Sequence, residues 1–323
     1  MEGRSFQGMD REMNKKILIG IGCLVLAMAI ALHSSQVDFP KLTGTYLGQK
    51  PPGMMPEVFG PALISTKDCF ECCRAISPDG REFYFVREIE NGNKIFRMIE
   101  EEDGWTKPER IPYSDAAFQY TPFISPDGKR FLFMTGNSNP KRNRSDSPPE
   151  IWISSKKGDK WIAPVSIGTL IGGVQPFYIT MAKNGTLYFS CIDRDGIYRS
   201  EWKDGKYSPA EKLPDMFGSL EQVNHPFVAP DESYLIMDAV NREAGNKDLY
   251  VSYRRKDGSW TDAVELGDMI NSSANEMCPS VTHDGKFIFF GRLVPAGKTD
   301  IYWVSSRIIE ELRPKERVQG EKR

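Results

Sequence analysis

Five polar side chains at recurring positions are the residues of this 323-residue chain whose types could do chemistry. They are Glu71, Gln119, Thr121, His225 and Glu276. Two carboxylates that face one cavity can bind a divalent cation or act as an acid and base pair on a glycosidic bond, and a histidine can assist either role. We therefore predict that all five contact a ligand, with Glu71 and Glu276 as the candidates for catalysis.

The same residues also have a purely structural interpretation. Side chains that enter the first strand of a repeat can cap backbone groups left exposed there, and glutamates can belong to the architecture of the repeat itself. The structural role is favoured for the whole set, so the five residues are kept as candidates for ligand binding and no catalytic residue is assigned. The set of metal ligands is left open.

The elements that position these residues are set by an internal repeat of short turns. A Pro-Asp-Gly-like turn occurs five times, at residues 77–80, 125–128, 182–185, 229–232 and 282–285. The turn starts are 48, 57, 47 and 53 residues apart, a period typical of propeller blades rather than of helical solenoids.

Each turn leads into an aromatic and β-branched run such as Glu82–Val86, which is followed by an alternating run such as Lys94–Arg97. An aromatic residue such as Trp105 then opens a further short segment. With the segment before the turn, this makes four strands per repeat, the content of one propeller blade. The sequence predicts an all-β fold, a single β-propeller of five four-stranded blades. Six blades are disfavoured because no sixth set of segments is found.

The N-terminal segment Met55–Phe59 is predicted to complete the last blade. Only four aromatic-led segments follow the repeats, and they begin at Trp105, Trp161, Tyr207 and Trp260. Met55–Phe59 has the Pro-Glu-apolar pattern of the segment after Trp105. Beside the last repeat, it would close the ring and cover strand edges that otherwise invite aggregation.

Alignment of the repeats on their turns places one residue of each repeat at the channel: Cys73, Thr121, Tyr178, His225 and Cys278. They enter the first strand of each blade, and the first strands of a propeller line its central channel. For the two cysteines we predict buried thiols near the axis. A disulfide between them is disfavoured because equivalent positions on adjacent inner strands are usually too far apart. A zinc site at the cluster Cys69, Cys72 and Cys73 is disfavoured because a second cysteine pair, or a pair of suitably spaced histidines, is missing.

Composition and charge disfavour several classes of function. The net charge of −2 offers no electrostatic attraction for nucleic acid. The sequence contains no glycine-rich phosphate loop, no G-x-S-x-G elbow and no histidine pair at helical metal spacing. We predict no cofactor, with a divalent cation at the axis as the one exception left open.

The N-terminus has the pattern of an export signal. Lys15 and Lys16 precede the apolar run Ile17–Leu32, which fits a signal-peptide core or a membrane anchor with its positive end inside. Residues 1–36 are predicted to form this segment, 37–52 a linker, 53–307 the propeller and 308–323 a charged tail. The propeller is therefore expected outside the cytoplasm, in the periplasm or at the cell surface.

The turns Ser77–Gly80 and Ser125–Gly128, the aromatic strands and the Trp-led fourth strands resemble the WD-repeat-like β-propeller repeats of TolB and its bacterial relatives. The resemblance covers roughly residues 55–305. It implies a propeller that serves as a platform for binding a protein or a ligand. Similar repeats occur in exported peptidases and oligosaccharide lyases, but this sequence does not contain their catalytic motifs.

Two functions therefore remain open. The favoured one is a non-enzymatic binding platform for an envelope protein or an oligosaccharide. The alternative is a hydrolase or lyase that acts on glycans with carboxylates converging on the propeller axis. An enzyme is the weaker hypothesis because, across the ring from Glu71 and Glu276, the repeats offer Gln119 and His225 but no third acid.

Overall fold

Five antiparallel sheets, each made mainly of consecutive strands, form the blades of a β-propeller in the computed structural model of the chain. The structure describes residues 39–315, except 67–68, 91, 112–117, 137–149, 159, 168–170, 172–173, 242, 244 and 296. All strands belong to the compact unit Leu42–Arg323; of the separate unit Met1–Lys41, only residues 39–41 are described. The predicted signal or anchor segment lies outside the described residues. Within them, no helix is both long and apolar enough to cross a membrane.

The strands of each blade run from the axis outward. The inner strands are β2 (Glu71–Ile76), β7 (Gln119–Ile124), β12 (Pro176–Met181), β18 (Leu220–Val228) and β22 (Glu276–Val281). The second strands are β3 (Glu82–Ile89), β8 (Arg130–Thr135), β13 (Leu187–Cys191), β19 (Tyr234–Asn241) and β23 (Phe287–Val294). The third strands are β4 (Gly92–Glu101), β9 (Glu150–Lys157), β14 (Ile197–Ser200), β20 (Lys247–Tyr253) and β24 (Lys298–Ser305). The outer strands are β6 (Glu109–Arg110), β11 (Val165–Ser166), β17 (Glu211–Lys212), β21 (Val264–Glu265) and β1 (Glu57–Val58).

Short hairpins, a 3-10 helix (Thr45–Gly48) and one α-helix complete the described elements. The hairpin strands are β5 (Gly104–Trp105), β10 (Lys160–Trp161), β15 (Trp202–Lys203) and β16 (Lys206–Tyr207). The helix α1 (Arg307–Glu311) follows the last blade.

The inner strands form a closed ring, because each contacts the inner strands of both neighbouring blades. Five blades therefore complete the circle, as the five turns predict. Each second strand contains a run of at least four consecutive buried residues, since neighbouring blades cover both of its faces there. This explains why their sequences are continuously apolar rather than alternating.

The strand β1 completes the last blade, which confirms the predicted closure by an N-terminal strand. It pairs with β24, with Glu57 opposite Trp303. Phe59, directly after β1, is fully buried, and its ring centroid lies within 5.2 Å of the rings of Phe83, Phe289 and Trp303. Phe83 belongs to the first blade and the other two rings to the last, so Phe59 joins the two ends of the ring.

The repeated turns reverse the chain between the inner and second strands. In the first turn, the backbone N–H of Gly80 donates to the oxygen of Ser77 at 2.8 Å, and Gly80 has a left-handed φ of 72°. The carboxylate of Asp79 accepts the backbone N–H of Arg81 at 3.1 Å. Glycine suits the left-handed position because it has no Cβ, and aspartate suits its own position because it satisfies a local amide.

Residues on both sides of the strands pack on the propeller. Trp105 donates its backbone N–H to the oxygen of Leu42 and its indole N–H to the oxygen of Gly44, both at 2.8 Å. The helix α1 buries Ile308 and Ile309. Leu42 and Gly44 belong to the predicted linker, and Ile308 and Ile309 belong to the predicted tail. The domain boundaries themselves stay predictions.

Candidate functional site

Each inner strand has a residue with a left-handed backbone four positions before its turn, and these five residues are called the axial ring; β18 has a second such residue, Gln222, outside the ring. The residues of the axial ring are Cys73, Thr121, Tyr178, His225 and Cys278, with φ angles of 39°, 50°, 38°, 48° and 55°. Each lies where the pairing register with the second strand shifts at a bulge. Positive φ is uncommon outside glycine, and such residues cluster where a fold fixes side chains for function. The five positions are structurally equivalent, as the alignment of the turns predicts.

Glu71 lies two residues before the axial ring in β2 and is fully buried. Its Oε1 accepts hydrogen bonds from Nε of Arg87 at 2.8 Å and from Oγ1 of Thr66 at 2.7 Å. Arg87 also donates to the backbone oxygens of Leu63 and Ile64. Burial raises the pKa of Glu71, while the hydrogen bonds from Thr66 and the charge of Arg87 oppose that rise. The glutamate therefore fastens the segment that leads into the first inner strand.

Glu276 occupies the same position in the fifth blade and has the same surroundings. Its Oε1 accepts hydrogen bonds from Nε of Arg292 at 2.7 Å and from Oγ of Ser272 at 2.6 Å. Arg292 also donates to the backbone oxygen of Ile270 at 2.6 Å. Each glutamate therefore has its own arginine and its own loop, and neither has any exposed surface. These contacts favour the structural interpretation of both residues.

Gln119 and Thr121 lie on β7 and are also buried. Oε1 of Gln119 accepts the backbone N–H of Ile95 at 3.0 Å, which links β7 to the third strand of the preceding blade. Oγ1 of Thr121 has no hydrogen-bond partner among the described residues. Gln119 therefore joins two blades, whereas Thr121 brings an unpaired hydroxyl to the axial ring.

His225 is oriented by a buried acid that the sequence analysis did not identify. Its Nδ1 lies 2.5 Å from Oδ2 of Asp238, which also accepts the backbone N–H of Cys278 at 2.9 Å. Nζ of Lys247 lies 3.1 Å from Oδ1 of the same aspartate. Burial raises the pKa of Asp238, but His225 and Lys247 outweigh it and hold that pKa below its usual value. The sequence signal for this residue is an aspartate in the middle of the apolar strand β19.

Four neighbouring rings cross the end of the axis where the inner strands begin, and they are called the aromatic row. In order they are Phe118, Tyr120, Phe177 and His225, with centroid distances of 5.5, 5.8 and 5.3 Å between successive rings. Phe118 and Phe177 are partly exposed, whereas Tyr120 and His225 are each 8% exposed. The row spans three consecutive blades and presents the edges of a continuous aromatic surface.

Three free cysteines, Cys72, Cys73 and Cys278, are called the axial thiols. Sγ of Cys73 lies 3.3 Å from Sγ of Cys278, and Sγ of Cys72 lies 3.2 Å from the hydroxyl of Tyr120. Burial raises the pKa of all three thiols, so they are not activated nucleophiles. This confirms the prediction of buried thiols. The sulfurs of Cys73 and Cys278 nevertheless lie closer together than we expected for equivalent positions on adjacent inner strands. Among the described residues, no three histidine, cysteine, aspartate or glutamate side chains are arranged to hold a metal ion.

A separate cleft of about 430 Å³ lies between the third and fourth blades, at the end where β18 begins. Its polar lining includes Asp195, Lys212, Asp215 and Glu221. The structure does not bring these carboxylates together with Glu71 or Glu276, because the two glutamates lie on β2 and β22 in other blades.

Comparison with known proteins agrees on the fold. No family model and no curated protein matches the sequence. The catalytic domain of an α-L-arabinofuranosidase from Coprinopsis cinerea has a TM-score of 0.50 at 12% identity, covering 79% of this chain and 97% of that one. An endo-arabinase from Bacteroides thetaiotaomicron has a TM-score of 0.48 at 15% identity, covering 74% of this chain and 94% of that one. TolB from Acinetobacter baumannii has a TM-score of 0.44 at 13% identity, covering 72% of this chain and 54% of that one.

The five sheets and the closed ring of inner strands define the class of protein at the level of fold. The chain is a five-bladed β-propeller, with TolB among the solved structures of similar fold, as the repeats predict. It spans about half the length of the Acinetobacter TolB. A fold does not determine a function, so the function has to be argued from the site.

Proposed function

We propose that this protein is an exported β-propeller that binds a protein or a glycan at the cell envelope without chemically changing it. The aromatic row carries the proposal. Aromatic rings offer a large contact area in a fixed geometry, and a site with a few oriented polar groups beside such rings suits ligand recognition. Phe118 and Phe177 are the partly exposed members of the row, and stacking on Tyr120 holds both rings in place.

The polar group of this site is His225. Asp238 engages its Nδ1, so the imidazole is held in one orientation and Nε2 is the nitrogen left for a ligand. The centroid of its ring lies 5.3 Å from that of Phe177 and 5.0 Å from that of Tyr178, so His225 places a polar group on an aromatic surface. A polar group in this place would orient a ligand that binds to the rings.

The state of the two candidate acids supports binding over catalysis. Cleavage of a glycosidic bond needs two carboxyl groups that face the same bond from opposite sides. Glu71 and Glu276 are fully buried, and each is paired with an arginine of its own blade. Carboxylates engaged in this way cannot reach a substrate without breaking the segments that they fasten.

Location at the envelope is proposed from the sequence alone. The apolar run Ile17–Leu32 after Lys15 and Lys16 supports export, with the segment either cleaved or kept as an anchor. Fractionation of cells that express the full chain, with mass analysis of its N-terminus, tests this part. Recovery of the protein in the cytoplasm would contradict it.

The binding proposal is tested by ligand capture with matched variants. The full chain is screened by thermal shift against oligosaccharides and used as bait in envelope extracts, together with Phe177→Ala and Trp202→Ala. Trp202 is 47% exposed on β15, outside the aromatic row, and controls for the loss of any exposed ring. A ligand that is captured by the wild type and by Trp202→Ala but not by Phe177→Ala supports the proposal. Equal capture by all three proteins would exclude the aromatic row as the site.

A further inference from the structure

Arg74 is a buried arginine that has no acidic partner among the described residues. It lies on the inner strand β2, next to the axial ring, and is only 3% exposed. None of its three side-chain nitrogens has a hydrogen-bond partner among the described residues. By contrast, Arg87 and Arg292 each donate to a carboxylate within 2.8 Å. A buried guanidinium without a partner is costly, so its retention calls for a physical explanation.

Arg74 is one of the residues that line a cavity on the propeller axis. The cavity has a volume of about 70 Å³ and is lined by residues of all five inner strands and of the turns that follow them. Because these are the ends of the inner strands, the cavity lies at the opposite end of the axis from the aromatic row. Its walls include Phe123, Met181, Phe227 and Phe289, and the ring of Phe289 lies 5.9 Å from Cζ of Arg74.

The charges around this cavity favour an anion. Of its described lining residues, none is acidic, and Arg74 is the one with a permanent charge. The lining also contains His283, and burial lowers the pKa of its imidazole, which favours the neutral form. One positive charge in an apolar enclosure matches one negative charge, so a monovalent anion fits better than a divalent one.

The shape of the guanidinium of Arg74 favours a particular kind of monovalent anion. A guanidinium presents parallel N–H donors that match the two oxygens of a carboxylate, whereas a halide can use only one point of contact. Apolar walls of phenylalanine and methionine suit a short hydrocarbon group attached to that carboxylate. A cavity of about 70 Å³ has room for an anion of this size and not for a polymer.

We infer that Arg74 and the axial cavity bind a small monovalent carboxylate. This site is separate from the aromatic row and does not depend on the function proposed for it. The carboxylate would lie against the guanidinium, with its short apolar group against the ring of Phe227 or Phe289.

The test compares the thermal stability of the full chain in sodium propionate, sodium chloride and sodium sulfate at equal ionic strength. Propionate at roughly ten times its Kd should raise Tm by about 3 °C, and the rise should grow with the logarithm of its concentration. Arg74→Met should abolish this rise, and its Tm without propionate should equal or exceed that of the wild type because the buried charge is gone. Arg97→Met, which removes a guanidinium from the outer surface of a blade, should keep the full rise.

Several results would overturn the inference. An equal rise in the wild type and in Arg74→Met would exclude Arg74 as the site, and a rise with chloride but not with propionate would exclude a carboxylate. If Arg74→Met does not fold, the propionate affinities of the wild type and of Arg74→Lys, measured by calorimetric titration, decide whether Arg74 binds the carboxylate. A lysine keeps the charge but not the paired donors, so the propionate affinity should fall by about tenfold while the fold is kept. No measurable propionate binding to the wild type would refute the site.

Discussion

The substitution Glu276→Gln should lower the free energy of unfolding of the propeller by about 3 kcal/mol, because it leaves the buried charge of Arg292 unpaired. Removal of one partner of a buried ion pair costs about 3–5 kcal/mol. The side chain of Glu276 has no exposure but that of Arg292 keeps 18%, so water can reach the arginine and the lower end of this range applies. Glutamine still offers an oxygen to the hydroxyl of Ser272, but its amide nitrogen replaces the oxygen that accepts the backbone N–H of Ser272 at 3.1 Å, which adds to the cost.

The assay is urea denaturation of the full chain, followed by tryptophan fluorescence and checked by calorimetry. For a propeller of this size, about 3 kcal/mol corresponds to a fall in Tm of about 6 °C. The matched control is Glu109→Gln, because Glu109 pairs with Arg97 at 2.7 Å but is 54% exposed. An exposed pair contributes at most about 1 kcal/mol, so the control should differ little from the wild type.

A double-mutant cycle separates the ion pair from other effects. In Glu276→Gln with Arg292→Met, the charge that glutamine leaves unpaired is also removed, so the double variant should be less destabilised than the two single costs together. The reasoning is refuted if Glu276→Gln costs no more than Glu109→Gln. It is also refuted if Glu276→Gln loses ligand binding at full stability, since the glutamate would then serve the ligand rather than the fold.

Three further predictions concern pH, ring closure and thiol reactivity. Burial and the charges of Glu265 and Glu276 raise the pKa of Asp248 to about 6, so its stabilising contribution is present below about pH 4 and lost as the pH rises through about 6. Asp248→Asn should therefore raise the free energy of unfolding by about 1 kcal/mol at pH 8 and leave it unchanged at pH 4, as measured by urea denaturation. Phe59→Ala should cost about 3–5 kcal/mol, because its ring joins the first and last blades, and a loss below about 1 kcal/mol would contradict the closure. With a thiol reagent, partly exposed Cys69 should react in the native protein and the axial thiols only after denaturation; rapid native labelling of the latter would contradict their burial.

The fold could be predicted because its signals are local and repeated. A turn residue with a fixed backbone and a continuous apolar strand can each be recognised within a few residues, and five copies reinforce one another. The fourth turn shows how far the pattern tolerates change: Glu232 takes the glycine position with φ of 61°. Its carboxylate accepts hydrogen bonds from Tyr188 at 2.6 Å and Arg254 at 2.8 Å, and these contacts offset the unfavourable backbone.

The candidate site could be predicted only in part, because its chemistry depends on distant partners. The equivalence of Glu71 and Glu276 follows from the turns, but their neutralisation by arginine does not. A signal was present, since in both blades the arginine follows the glutamate by 16 residues. Asp238 and Arg74 were missed because their significance lies in what surrounds them across blades, and spacing along the chain does not report it.

A captured ligand, followed through binding and recovery, distinguishes a binding platform from a glycan-cleaving enzyme. The Kd of that ligand is measured for the wild type, for Phe177→Ala and for Glu71→Gln with Glu276→Gln, with each value corrected for the folded fraction, and the ligand is then analysed by mass spectrometry. We expect weaker binding by Phe177→Ala, unchanged binding by the double glutamine variant, and a ligand of unchanged mass. Cleavage of the ligand by the wild type, lost in the folded double glutamine variant, would contradict the account and show a glycan-cleaving enzyme.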